Sequence, residues 1–292
     1  MPMASKHKAL SRGSSWRKWR GALGFGLTGV ATVISLGALF SILGYLIHQG
    51  IGAINWSFIV REPAAVGEAG GGIAPSLLGT LILVAISIVV GVPLGIGVGI
   101  YLSEIAGGTR FANLARIAIN TFIGVPSIIM GIFVYFILVK PTNTFSAVAG
   151  GLALGIIMIP IIARTTEDVL RLVPRSIREA GLAIGAPKWR VTFDLVIPAA
   201  RAGVITGGIL AVARVAGETA PLILTALGNE YYPTSLFKPI DEITLRILKY
   251  ARGPYDVWHQ QAYGAALLLV FGVAIGSLLL RLSTRDREAM SR

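Results

Sequence analysis

Six stretches of this chain are apolar and long enough to cross a membrane, near 21–47, 75–102, 113–139, 147–170, 198–227 and 262–282. A helix needs about 20 such residues to cross roughly 30 Å of hydrocarbon, and helices satisfy their own backbone there. The expected fold class is therefore all-α: a polytopic membrane protein of six transmembrane helices. Composition agrees, with 54% hydrophobic and 14% charged residues and a mean hydropathy of +0.74, where soluble domains carry about a quarter charged residues. The first stretch is read as a retained span, because its apolar run exceeds that of a signal peptide and no Ala-x-Ala site precedes a polar mature region.

The net charge of +12 is unevenly distributed. Lys6, Lys8, Arg12, Arg17, Lys18 and Arg20 precede the first span, and Arg110 and Arg116 separate the second from the third. Seven more, from Arg164 to Arg201, fall between the fourth and fifth, and Arg281, Arg285, Arg287 and Arg292 follow the sixth. The opposite side holds only Arg61, Lys140, Lys238, Arg246, Lys249 and Arg252. The positive-inside rule then puts both termini in the cytoplasm. Residues 1–20 are expected as a basic cytoplasmic tail, 21–285 as the six-helix domain and 286–292 as a second tail. Trp16 and Trp19 among the basic residues suit anionic headgroups of the lipid bilayer; no nucleic-acid partner is expected.

Several chemistries are poorly supplied. Cysteine is absent, which removes disulfides, thiolate catalysis and Cys-ligated metals. His7, His48 and His259 fall outside the stretches, and no His-Glu-x-x-His motif occurs. No G-x-x-x-x-G-K-[ST] loop is present either, so ATP hydrolysis by this chain alone is not expected. Catalytic residues and a bound metal are expected to be absent.

Inside the fifth stretch Arg214 and Glu218 stand four residues apart in the run from Ala211 to Leu224. On a helix that spacing puts both on one face. A charge near the bilayer centre costs about 2.5–3.5 kcal/mol on insertion scales, so the face looks into protein or a watery cavity. The pair reads as an anion site or as a structural ion pair, and both readings stand. Glu218 is read as the one carboxylate clearly buried in the bilayer. Glycines at spacing four, Gly91-x-x-x-Gly95-x-x-x-Gly99, Gly151-x-x-x-Gly155 and Gly203-x-x-x-Gly207, suit close helix packing. Pro93, Pro126, Pro160 and Pro221 interrupt four spans and can kink them.

Between the fourth and fifth spans, segment 171–198 reads as a hairpin of short helices. Pro174 starts the first, Gly185 supplies the reversal, Pro187 opens the second, and Pro198 begins the fifth span. Exposed Leu182, Ile184 and Trp189 suit a helix laid into a partner's groove. In the outer loop, 228–261, the run Glu242 to Ala251 places Ile243, Ile247, Leu248 and Ala251 on one stripe, as for a helix lying in the membrane interface.

The hairpin resembles the EAA loop of ABC-importer permeases. That pattern is Glu-Ala-Ala, three residues, Gly, nine residues, Ile-x-Leu-Pro; here stand Glu179-Ala180-Gly181, Gly185 and Leu195-Val196-Ile197-Pro198. Gly181, Leu195 and Ile197 are mild departures. Within the family, Arg214-Val-Ala-Gly-Glu218-Thr-Ala-Pro-Leu222 is similar to the signature of PstA-type permease subunits of bacterial phosphate importers. Similarity extends over roughly residues 20–285, including Gly71 to Thr80, Gly99 to Glu104, Val125 to Gly131 and Lys249 to Ala262. PstC-type subunits usually carry Met after Gly-Glu-Thr, where this chain has Ala220-Pro221.

The resemblance implies the MetI-like architecture of a type I ABC importer in a bacterial inner membrane. It implies a partner permease of PstC type, two ATPases of PstB type that bind ATP and Mg²⁺, and an external binding protein of PstS type. No cofactor is implied in this chain itself. Arg214, Glu218 and Thr219 would lie on the substrate pathway. Glu179, Ala180, Gly181, Leu182, Ala183, Gly185 and Pro198 would belong to ATPase coupling. Arginine suits phosphate because its planar fork keeps its charge and pairs with two oxygens. A sulfate or molybdate permease shares the EAA loop and is one alternative. A membrane scaffold that transports nothing is the other.

Overall fold

The structure is a computed structural model that describes residues 5–66, 68 and 70–289, with side chains described within 16–282 except at 17, 67 and 69. Of the expected tails, Lys6, Lys8, Arg12, Arg17, Arg285, Arg287 and Arg292 therefore lie outside the described side chains. The chain divides into two units, Met1–Gln49 and Gly50–Arg292.

The first unit is one helix, α1 (Ser5–Gly50), which runs through the segment expected as a tail. Proline is absent from this stretch, so nothing in it forbids helix before the span. Its apolar side chains, such as Phe25, Val33 and Phe40, are exposed.

The regular structure of the second unit is helical, and apart from helices its described residues form only loops and isolated β-bridges. Its helices are α2 (Trp56–Val60), α3 (Ala74–Ile100), α4 (Arg110–Gly124), α5 (Ser127–Val134), α6 (Lys140–Thr142), α7 (Ala147–Leu172), α8 (Arg175–Ala183), α9 (Lys188–Arg190), α10 (Ile197–Val215), α11 (Ala220–Ile223), α12 (Ile243–Ala251) and α13 (Asp256–Ala289). Wider π turns at Tyr101–Ile105, Tyr135–Val139 and Val191–Val196 continue α3, α5 and α9. Among the described residues five helical runs are long and apolar enough to cross a membrane: Lys18–Ala53, Ala74–Ile105, Ala147–Leu172, Lys188–Val215 and Asp256–Leu282. The third expected span, 113–139, is instead a bent pair, Arg110–Gly124 and Ser127–Thr142, turning by 102°. Proline disfavours helical backbone at the preceding residue, and Val125 before Pro126 is extended at ψ 133.

The fifth span also departs from expectation. Its helical run begins at Lys188, so Pro198 lies inside it. The missing N–H and the ring of Pro198 disturb the carbonyl of Asp194, four residues back, which lies in the π turn. The run ends at Val215 rather than near 227, and Ala216–Thr219 separate it from α11, which has Pro221 in its first turn.

The glycine series lie where helices meet. A Cβ on Gly91, Gly95 or Gly99 would stand 2.9, 2.7 or 2.6 Å from Met158, Ile162 or Thr166 of α7. From the other side, Gly151 of α7 faces Ile86 of α3, while Gly203 and Gly207 of α10 face Val169 and Thr165. This seam borders the main core, built around Leu83, Leu154, Met158, Ile162, Val215 and Leu222.

Candidate functional site

The site grows from two helix breaks that touch. A Cβ on Gly131 of α5 would lie 2.6 Å from the Cα of Pro221, so only glycine lets α5 approach the start of α11. That contact fixes the break at Ala216–Thr219 against the bent pair. Arg214, on the last turn of α10, lines a narrow cleft with Phe122, Val125, Ser127, Ile157 and Pro160. The cleft thus meets the break at Pro126 and the proline inside α7.

Arg214 and Glu218 do come together, though not on one continuous helix. Nε of Arg214 lies 3.8 Å from Oε1 of Glu218, with side chains 48% and 18% exposed. At 3.8 Å this is an ion pair without a hydrogen bond. Arg214 therefore keeps its N–H fork uncommitted and reachable, as recognition of an oxyanion requires. Thr219 is the N-cap residue of α11 and makes no side-chain cap bond. The carbonyl of Glu218 receives Thr244 Oγ1 of α12 at 3.4 Å.

Glu218 is not the most buried carboxylate of the spans. Glu167 of α7 is 1% exposed in its side chain and Glu104, at the end of α3, is 8% exposed. The sequence reading missed them because each sits where a span approaches its basic end, and the arginines that reach them from other elements, Arg178 and Arg116, are distant in sequence.

The hairpin places its residues on two sides. Gly185 turns the chain at φ +83. Glu179, Ala180, Leu182 and Ala183 are exposed, as is Pro198 on the following run, and the apolar Leu182, Ile184 and Trp189 are 45%, 83% and 59% exposed. Gly181, by contrast, is buried, and a Cβ there would stand 2.8 Å from Val191 and Leu195. That contact accounts for glycine where the EAA pattern has its second alanine.

A second polar cluster supports the outer helix. Arg246 of α12 is 1% exposed and pairs with Asp241 at 2.6 Å, whose other contact is Ser76 of α3. Glu242 caps α12 by accepting from the Thr244 backbone N–H at 2.7 Å, and also takes Thr80 Oγ1 at 3.3 Å. Burial pushes its carboxyl up to about 7 despite those bonds. The apolar stripe expected on α12 meets protein in part: Ile243 and Ile247 pack with Phe58, Ile73 and Tyr250 and Arg246 is buried, while Lys249 and Ala251 stay exposed. A cavity of about 510 Å³ beside it is lined by charges of both signs, among them Glu230, Arg246 and Lys249. Glu230 already holds both of these cations.

Residues 91–286 match the family of binding-protein-dependent transport system inner membrane components. The chain is 36% identical to the phosphate transport system permease protein PstA of Yersinia pestis, over 91% of this chain and 90% of that protein. It is 38% identical to PstA of Haemophilus influenzae, over 88% of this chain and 91% of that one. The chain belongs to the PstA family of these permeases. Its fold is that of a permease chain in the inward-facing MetNI methionine ABC transporter, matched with a TM-score of 0.55 at 21% identity over 76% of this chain and 95% of that chain. A PstA-family chain is a multi-pass subunit of a multi-component importer, and the MetI-like architecture expected from the hairpin is the one found.

Proposed function

We propose that this chain conducts inorganic phosphate across a bacterial inner membrane as one of two permease subunits, with Arg214 as the anion-binding residue of the pathway. The observation that carries the reading is the reachable guanidinium of Arg214, beside the cleft at the Pro126 break and one turn before the break at Ala216–Thr219, held 3.8 Å from a carboxylate that does not quench it. Its partner permease is of PstC type and supplies further positive charge, because one arginine does not balance a dianion. The exposed face of α8 docks on an ATPase of PstB type, which binds ATP and Mg²⁺; this chain needs no cofactor of its own. Phosphate arrives from a binding protein of PstS type on the face of α12, and both termini are cytoplasmic. Glu218 serves selectivity: phosphate near neutral pH still carries a proton that an ionised carboxylate accepts, whereas sulfate offers none.

The test is ATP-driven uptake by the complex reconstituted in vesicles. Arg214→Gln should abolish phosphate uptake while the subunits still assemble. In a permease freed from its binding protein, Glu218→Gln should shift the relative rates toward sulfate. Recovery of uptake in the double variant Arg214→Gln/Glu218→Gln would show a structural pair instead, and a wild-type complex that moves sulfate or molybdate but not phosphate would overturn the substrate.

A further inference from the structure

Two arginines from different elements converge on the π turn Tyr101–Ile105 that ends α3. Arg178 of α8 grips Glu104 in a fork, Nη2 donating to Oε1 at 2.7 Å and Nε to Oε2 at 3.0 Å. Its remaining donors reach the end of α7: Nη1 to the carbonyl of Val173 at 2.7 Å and Nη2 to that of Leu170 at 2.9 Å. Arg116 of α4 donates to the carbonyls of Leu102 and Gly107, at 2.8 and 3.1 Å, and through Nε to buried Glu167 of α7 at 2.6 Å. A π turn widens the helix and leaves carbonyls that the regular ladder does not satisfy, and Arg116 takes one of them. The other side of α8 is apolar: Ile177 packs with Leu170, Val191 and Val196, and Gly181 lies against Val191 and Leu195.

We propose that Arg178 is the positioning residue through which a displacement of α8 reaches α3, its fork on Glu104 and its bonds to the end of α7 making these three ends one rigid joint, with Arg116 bracing the π turn from behind. The inference rests on the reading of α8 as the part that docks on the ATPase. Its geometry has a specific consequence. Were α8 held by apolar packing alone, it could slide on Val191 and Leu195 without moving α3; a planar guanidinium with both carboxylate oxygens and two carbonyls in fixed directions does not allow that slip. Lysine at 178 keeps the charge but offers a single rotating head, so the joint loosens while the ion pair survives.

The experiment measures phosphate imported per ATP hydrolysed by the reconstituted complex, with wild type as control. Arg178→Lys should lower that ratio severalfold while ATP hydrolysis and assembly persist, because the ATPase would cycle without carrying α3 with it. Glu104→Asp, which keeps the charge and withdraws the carboxylate by one methylene, should do the same, and is the variant to read if Arg178→Lys does not assemble. An unchanged ratio in either assembled variant, even with both rates reduced in parallel, overturns the joint. Failure of both to assemble overturns it too, since the pair then serves folding alone. If the wild-type complex itself imports no phosphate, the functional reading has failed, not the joint.

Discussion

At the scale of single residues, Glu242 shows how strongly this fold sets the chemistry of a side chain. It is 2% exposed, between Thr80 of α3 and the first turn of α12, with its carboxyl raised from 4.5 to about 7 by desolvation. The folded protein then binds a proton there that the unfolded chain has already lost. Stability from this group is full below about pH 4.5, declines as pH rises to about 7 and is level above it, a loss on the order of 3 kcal/mol. Glu242→Gln should remove that decline. Thermal unfolding midpoints of the detergent-solubilised complex at about pH 5 and about pH 8 test this: wild type should lose more than the variant on going to the higher pH, and parallel losses would show that Glu242 is charged when folded. Nothing in the sequence marks Glu242 as buried, since it stands in a loop beside Asp241 and near Arg246. Arg214 and Glu218 were legible because a charge inside an apolar run has few places to go. Glu104 was not, because its partner Arg178 lies 74 residues away; Glu167 pairs locally with Arg171 at 2.6 Å, but its burial is set by α4, from which Arg116, 51 residues away, also reaches it.

At the scale of elements, five of the six expected spans were legible from apolar length, while the 102° bend that replaces the third and the shifted ends of the fifth were not. Pro126 and Pro221 both promise a disturbance, yet so do Pro93 and Pro160, which stay inside continuous helices. The difference is tertiary: α5 and α11 pack through Gly131 and Pro221, a contact between distant segments that holds the chain bent. The glycine spacings marked close packing correctly, since the three series meet at the seams of α7 with α3 and α10. Gly95→Val should overpack that seam by about 1–3 kcal/mol and lower the unfolding midpoint and yield of the permease. Gly97→Ala, two residues away with nothing near its Cβ, should leave both unchanged. Equal behaviour of the two variants would mean that α3 and α7 do not meet through these glycines.

At the scale of the whole molecule, charge asymmetry makes a claim the helices alone do not: which way the chain faces. With no native cysteine, a single cysteine reports its own side. Tyr231→Cys, in the outer loop and 70% exposed at present, should react with a membrane-impermeant thiol reagent on spheroplasts, while Ser11→Cys should react only after lysis. Labelling of position 11 before lysis would invert the topology and with it the assignment of α8 to the ATPase side.

The glycine seam also bears on how this gene tolerates change. Every amino acid one nucleotide away from a glycine codon carries a Cβ, and at Gly91, Gly95 and Gly99 that atom would meet α7 within 3 Å. A mutational scan of the permease should therefore find these three codons as intolerant as that of Arg214, although they serve packing alone. Loss of growth on limiting phosphate would then flag both Arg214 and the packed seam, and only the amount of protein left in the membrane separates the two.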